Sequence, residues 1–335
     1  MALSRYHSKR GTGYAAVAAL VFALCFALAV WGLPHIKLRP GGYPRPFKIS
    51  NDHDPGADAF FVSRGHHELS HLVLYHDIGS SIEHARDADI LIIGNSRAQL
   101  GFSERVMVSE AEKQGLRVFN LAVGHADSAH FARDLLNRHD LKPRILIASG
   151  GPFFFGNKYS NWAQEVVDMS RWEAHKTFFE YSLAWQLESR LHRYLPYLSY
   201  FERSRYPWTH YRSPQTGWWR NTRIPGARYP IRPDVEAKSY ARSLPVAQAL
   251  KTELDSRGTL LILTIMPYRK VQTGHLPYLS RELGVPYILS PFDGLETADS
   301  SHLTPDSAER ISKYIWSALI DLPIVREKLS LPADS

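Results

Sequence analysis

The chain has 335 residues, of which 44% are hydrophobic and 22% charged, proportions that favour a packed globular protein over a disordered one. Its formal net charge is +7, yet no Asp or Glu precedes Asp52, so much of the excess lies in the first 50 residues. That distribution reads as membrane-flanking charge; with no zinc-finger spacing and no aromatic ribonucleoprotein motif, a DNA or RNA partner is not expected.

Residues 1–13 form a short basic tail carrying Arg5, Lys9 and Arg10. The run from Tyr14 to Leu33 holds 20 residues without a charge, the length at which a helix spans a hydrocarbon core. The reading preferred here is an uncleaved signal-anchor over 14–33, because the apolar stretch continues through Val30, Trp31 and Leu33. The alternative is a signal peptide cleaved at Ala27-Leu28-Ala29. The flanking charges do not set the orientation, since Lys37, Arg39, Arg45 and Lys48 follow the run. In either case the rest of the chain is expected outside the cytoplasm; in the preferred reading it is a single-pass protein tethered to the inner (cytoplasmic) membrane. The lone cysteine, Cys25, lies in this run and excludes an intrachain disulfide; bulky Leu24 before it argues against a lipoprotein anchor. Residues 34–56, with Pro34, Pro40, Gly41, Gly42, Pro44, Pro46 and Pro55, read as a linker.

From residue 57 to 325 the pattern changes to short β-branched runs separated by helix-length segments. Strands are expected at Asp89–Ile93, Val118–Val123, Arg144–Ser149, Leu260–Met266 and Pro286–Leu289. Continuously apolar strands with helical crossovers predict a parallel sheet covered on both faces, a doubly wound α/β domain of flavodoxin type. Helices are expected at Glu104–Gln114, Ala129–Arg138 and Pro305–Ile320. The last begins with Thr304 as cap, Pro305 in the first turn and Asp306 complementing the dipole. Residues 326–335 read as a C-terminal tail.

Between the third and fourth strands an insertion of about residues 157–245 carries six of the eight tryptophans: Trp162, Trp172, Trp185, Trp208, Trp218 and Trp219. Residues 172–194 are expected to be partly helical and residues 206–233 to be loop. The aromatics either form the core of a helical subdomain or cap the site with rings that stack on sugar faces.

The first strand runs straight into Gly94-Asn95-Ser96-Arg97. A small residue ahead of a serine at the C-terminal end of a parallel strand permits a tight turn that lifts the hydroxyl to the sheet edge, where open α/β sheets bind ligands. Asp299-Ser300-Ser301-His302 follows the fifth strand and precedes the capped helix, at the same edge. Its spacing lets the carboxylate fix the imidazole tautomer while the other nitrogen faces the serine.

On these two blocks the chain resembles the SGNH (GDSL-like) hydrolase superfamily. The run ILIIGNSRAQLGFS is similar to the branch holding the D-alanyl transfer protein of teichoic acid systems and the alginate acetylation proteins. The resemblance covers about residues 88–155 and 258–320. It implies an esterase or O-acyltransferase acting on an envelope polysaccharide or glycolipid, beside a membrane-embedded acyltransferase and without a cofactor or metal. It implies Ser96 as nucleophile, His302 as general base and Asp299 as its orienting carboxylate. The family's second block reads Asn120-Leu121-Ala122-Val123-Gly124-His125 here, and the backbone N–H groups of Ser96 and of Gly124, or of His125 if that block is shifted by one, would form the oxyanion hole. The third block departs from the pattern: where typical members have Gly-x-Asn-Asp, this chain has Ser149-Gly150-Gly151-Pro152-Phe153. Asn157 or the Gly150–Gly151 amides are the candidates to replace the missing donor, and a non-catalytic scaffold or glycan-binding partner is the alternative if none does. A third reading is a zinc protease using His67-Glu68-Leu69-Ser70-His71, which on a helix would place both imidazoles on one face.

Overall fold

A computed structural model describes residues 17, 19–24, 60–64, 67–124, 128–156, 159–181, 209–220, 228–233 and 240–332. The strands among them, in chain order, are β1 (Phe60–Arg64), β2 (His67–Glu68), β3 (Ile90–Gly94), β4 (Val118–Asn120), β5 (Ile145–Ser149), β6 (Thr209–Arg212), β7 (Trp219–Arg220), β8 (Tyr229–Pro230), β9 (Leu260–Thr264), β10 (Tyr287–Ile288) and β11 (Glu296–Thr297).

Five strands form the central sheet in the order β10-β9-β5-β3-β4, and every pairing is parallel. Each falls on one of the five apolar runs, β3 extending one residue past its run to Gly94. Renumbered within the sheet this is the flavodoxin order 2-1-3-4-5, with the direction of winding reversing between β3 and β5, where such sheets bind ligands. Every residue of β3 and β5 is buried whichever way it points, which explains the unbroken Ile/Leu runs. Helices Ser96–Gly101 and Glu104–Lys113 pack on Pro305–Ile320, and helices Ala129–Arg138 and His275–Leu283 pack on Leu244–Ser256. The Thr304 hydroxyl accepts from the Ser307 amide at 3.4 Å, capping the helix that follows the Asp-x-x-His block. The expected C-terminal tail instead continues in a helix, Pro323–Leu329, because Val325 and Leu329 have apolar surface to bury and Arg144 ties its end by donating to the Lys328 carbonyl at 2.9 Å.

Among its described residues the insertion is part helix and part strand. It supplies β6 and β7 to a second, antiparallel sheet of order β2-β1-β6-β7, so residues from before the central sheet pair with residues inserted into it. Trp218 and Trp219 are buried in the main core. The Trp218 indole N–H donates to the Phe102 carbonyl at 2.8 Å, and the Trp219 amide donates to Gln99 Oε1 at 2.9 Å. Trp162 donates to the Glu68 carbonyl at 2.7 Å. Trp172, in the helix over residues 171–181, is exposed, and Trp185 and Trp208 lie outside the described residues.

Val17 and residues 19–24 are helical, with Val17, Leu20, Val21, Phe22 and Leu24 exposed. The remainder of the 14–33 span, the tail 1–13 and the linker 34–56 lie outside the described residues. Among those described, no helix is long and apolar enough to cross a membrane.

Gly94 closes β3 with φ of 154°, and a Cβ there would lie 2.6 Å from the Ser149 carbonyl oxygen and 2.7 Å from Ala98 Cβ. Neither neighbour is the loose end of a long side chain. Gly94→Ala is therefore expected to cost about 1–3 kcal/mol through overpacking, read as a lower denaturant midpoint; an unchanged midpoint would contradict this account of the turn.

Candidate active site

β3 ends at Gly94, and Asn95 Oδ1 accepts from the Arg97 amide at 3.0 Å, starting the short helix Ser96–Gly101. The bond falls on Arg97, so the Ser96 amide at the first helical position has no partner among the described residues. The second part of the site is a turn between β11 and helix Pro305–Ile320. The Ala298 amide donates to the His302 carbonyl at 2.8 Å, closing it. Ser300 has φ of +68°, a left-handed conformation uncommon for serine. Its carbonyl is held by the Arg269 amide at 3.0 Å. β11 pairs with β8, so the insertion also braces this turn.

These elements bring three side chains into line. His302 Nε2 lies 2.9 Å from Ser96 Oγ, and His302 Nδ1 lies 2.7 Å from Asp299 Oδ2. Asp299 Oδ1 accepts from the Ser301 amide at 3.0 Å and the His302 amide at 2.7 Å. Burial pushes the Asp299 carboxyl up, but the imidazole bond and the two amides outweigh it and hold it at about 2. An ionised carboxylate only accepts, so Nδ1 carries the ring proton and Nε2 presents its lone pair to the serine hydroxyl. In this state the imidazole can take the Ser96 proton while Oγ attacks an acyl carbon, then return it to the departing oxygen.

The oxyanion side of the site differs from what the sequence pattern implies. Val123 donates to the Gly94 carbonyl at 3.1 Å, which runs the second block alongside the nucleophile turn. The Gly124 amide, however, lies close to the buried Glu68 carboxylate, whose charge it favours, and a Cβ on Gly124 would collide with that same carboxylate. A buried carboxylate at that position competes for the donor an oxyanion would need. Likewise the Gly150 amide donates to the Thr264 carbonyl at 3.1 Å as part of the β5–β9 ladder. His125 and Asn157 lie outside the described residues.

Behind the second block sits a set of buried polar side chains. Arg212, fully buried, donates to the carbonyls of Asn120 and Ala122. Gln99, one helical turn after Ser96, donates to the Ala122 carbonyl at 2.6 Å and the Gly217 carbonyl at 3.0 Å. Burial raises the Glu68 carboxyl and pulls the Arg212 guanidinium down to about 9, while each charge favours the other. Arg212 is therefore committed to the core, and Arg220 pairs with Glu104.

The zinc-protease geometry does not form. His67 and Glu68 lie on β2 and the helix begins only at Leu69, so His67 and His71 do not share a helical face. His71 is instead buried 4.8 Å from Phe131, ring to ring. Among the described residues no group of three or more His, Cys, Asp or Glu is placed to hold a metal ion.

One residue beside the triad was not singled out from the sequence. Arg97 Nε donates to Ser301 Oγ at 3.1 Å, and its guanidinium lies 3.8 Å over the Tyr268 ring. Its only sequence signal is adjacency to Ser96. No protein-family model matches this chain, and no curated protein matches it.

Proposed function

We propose that the protein is a membrane-anchored, SGNH-like serine esterase or O-acyltransferase that acts on a cell-envelope polysaccharide or glycolipid. The observation that carries this reading is the continuous Ser96–His302–Asp299 hydrogen-bonded chain at the C-terminal edge of a parallel sheet. Such a chain activates a hydroxyl as nucleophile, and its histidine deprotonates a sugar hydroxyl as readily as water. The ILIIGNSRAQLGFS resemblance supports the envelope assignment and a membrane-embedded acyltransferase as partner. The helical, outward-facing apolar residues Val17 and Leu20–Leu24 support a lipid-facing anchor. A fluorophosphonate probe applied to the full-length chain in detergent is expected to label Ser96; labelling of another serine sinks the assignment.

A second reading, a scaffold without turnover, draws on the Gly150 amide, engaged in the sheet, and on the Glu68 carboxylate that lies against Gly124. Losing one oxyanion donor costs about 3 kcal/mol of transition-state stabilisation. The acyl content of surface glycans separates the readings. A fall in both a deletion strain and a Ser96→Ala strain indicates transfer, and a rise in both indicates a deacylating esterase. A fall on deletion alone indicates the scaffold. For topology, reporters fused after residue 60 are expected to be active only outside the cytoplasm, and a reporter active only inside it overturns export.

A further inference from the structure

The half-buried arginines of this protein are generally neutralised. Arg133 pairs with Glu253 at 3.2 Å, Arg144 with Asp89 at 3.7 Å and Arg257 with Glu253 at 3.0 Å, while Arg220 pairs with Glu104. Arg97 is the contrast. It sits directly after Ser96, half-buried, and forms no ion pair with any carboxylate among the described residues. The nearby acid is Asp299, but both of its oxygens are occupied by His302 and the turn amides. Arg97 is nevertheless fixed in place. Its Nε is tied to Ser301, inside the Asp-x-x-His turn, and its plane is held against Tyr268. Of its five N–H donors only the one on Nε has a partner among the described residues, which leaves the forked end of the guanidinium unsatisfied. The ionised Asp299 nearby favours its charge without bonding it, so the forked end stays free, and it is not sealed from solvent, so a ligand oxygen can reach it beside Ser96.

We infer that Arg97 is a specificity-determining residue that binds an anionic group, a carboxylate or phosphate, carried by the substrate close to the ester being attacked. The inference rests on the serine esterase/acyltransferase reading and deepens it. A planar guanidinium held on one edge and one face presents its remaining edge as a ready two-pronged donor, the geometry that matches carboxylate and phosphate oxygens. Because the side chain is already ordered by Ser301 and Tyr268, little rotamer freedom is lost when the anion binds. The charge sits beside the triad, so it selects among substrates without taking part in proton transfer.

The test uses the full-length chain in detergent with three matched acetyl esters: a methyl glucoside, the corresponding glucuronoside and the corresponding 6-phosphate. The wild type is expected to favour one or both anionic esters over the neutral one in kcat/KM by about tenfold or more, the size of a charge-assisted bond. Whichever anionic arm is preferred identifies carboxylate or phosphate as the natural group. Arg97→Gln is expected to bring the ratio close to one, mainly through KM, and Arg97→Lys to restore part of it. If Arg97→Gln lowers turnover of all three esters alike and leaves the ratio unchanged, Arg97 only positions the Ser301 turn and the inference is overturned. Equal wild-type rates on charged and neutral esters overturn it as well. Fluorophosphonate labelling of Ser96 in each variant keeps the two levels apart: intact labelling with no charge preference defeats only the Arg97 inference, whereas absent labelling in the wild type defeats the underlying reading.

Discussion

Ser96→Ala and His302→Ala are each expected to lower kcat by a factor on the order of 10⁴–10⁶, and the double variant is expected to be little worse than either. The reason is geometric. Ser96 Oγ, His302 Nε2 and Asp299 Oδ2 form one chain of bonds at 2.9 and 2.7 Å, so removing any link disables proton transfer as a whole. Asp299→Asn keeps the shape but places an amide where a carboxylate accepted from Nδ1. The imidazole then no longer has its tautomer enforced, and a loss of about 10⁴ is expected, as in other serine triads. Strictly multiplicative losses in the double variant would mean that Ser96 and His302 act independently, contrary to the arrangement described.

The second large effect concerns stability. Arg212→Ala is expected to destabilise the fold by about 3–5 kcal/mol, because the buried carbonyls of Asn120 and Ala122 lose their donor and the space of a large, fully buried side chain is emptied. For a domain of this size the melting temperature should fall by roughly 10 °C. A melting temperature within a degree or two of the wild type in Arg212→Ala would show that Arg212 does not hold the second block. Because that block lies against the nucleophile turn, the same variant should also lower fluorophosphonate labelling of Ser96 at temperatures where it remains folded.

Much of this protein was legible in one dimension because the relevant physics is local. A strand buried on both faces has no polar residue to alternate with, so ILIIG, RILIAS and LLILT announce a parallel sheet, and all five strands fall on the runs that predict them, β3 reaching one residue further to Gly94. The Thr304–Pro305–Asp306 start is likewise a local signal, since it depends on the free amides of one helix end. The Gly94-Asn95-Ser96 turn and the Asp299-x-x-His302 turn were recognisable because each residue type answers a backbone need within a few positions. The sequence alone therefore determined the sheet, the edge at which the site lies and the three side chains that meet there. Tertiary structure decided the rest through partners far apart in the chain. β1 pairs with β6 across almost 150 residues, which no local periodicity encodes, and with it Trp218 and Trp219 of the insertion pack in the core beside Phe102 and Gln99. His67 and Glu68 became strand rather than helix for the same reason: β2 is held by β1, and the motif spacing carries no information about that neighbour. Gly124 was assigned by its place in a block, and only the fold brings the Glu68 carboxylate, 56 positions earlier, against it.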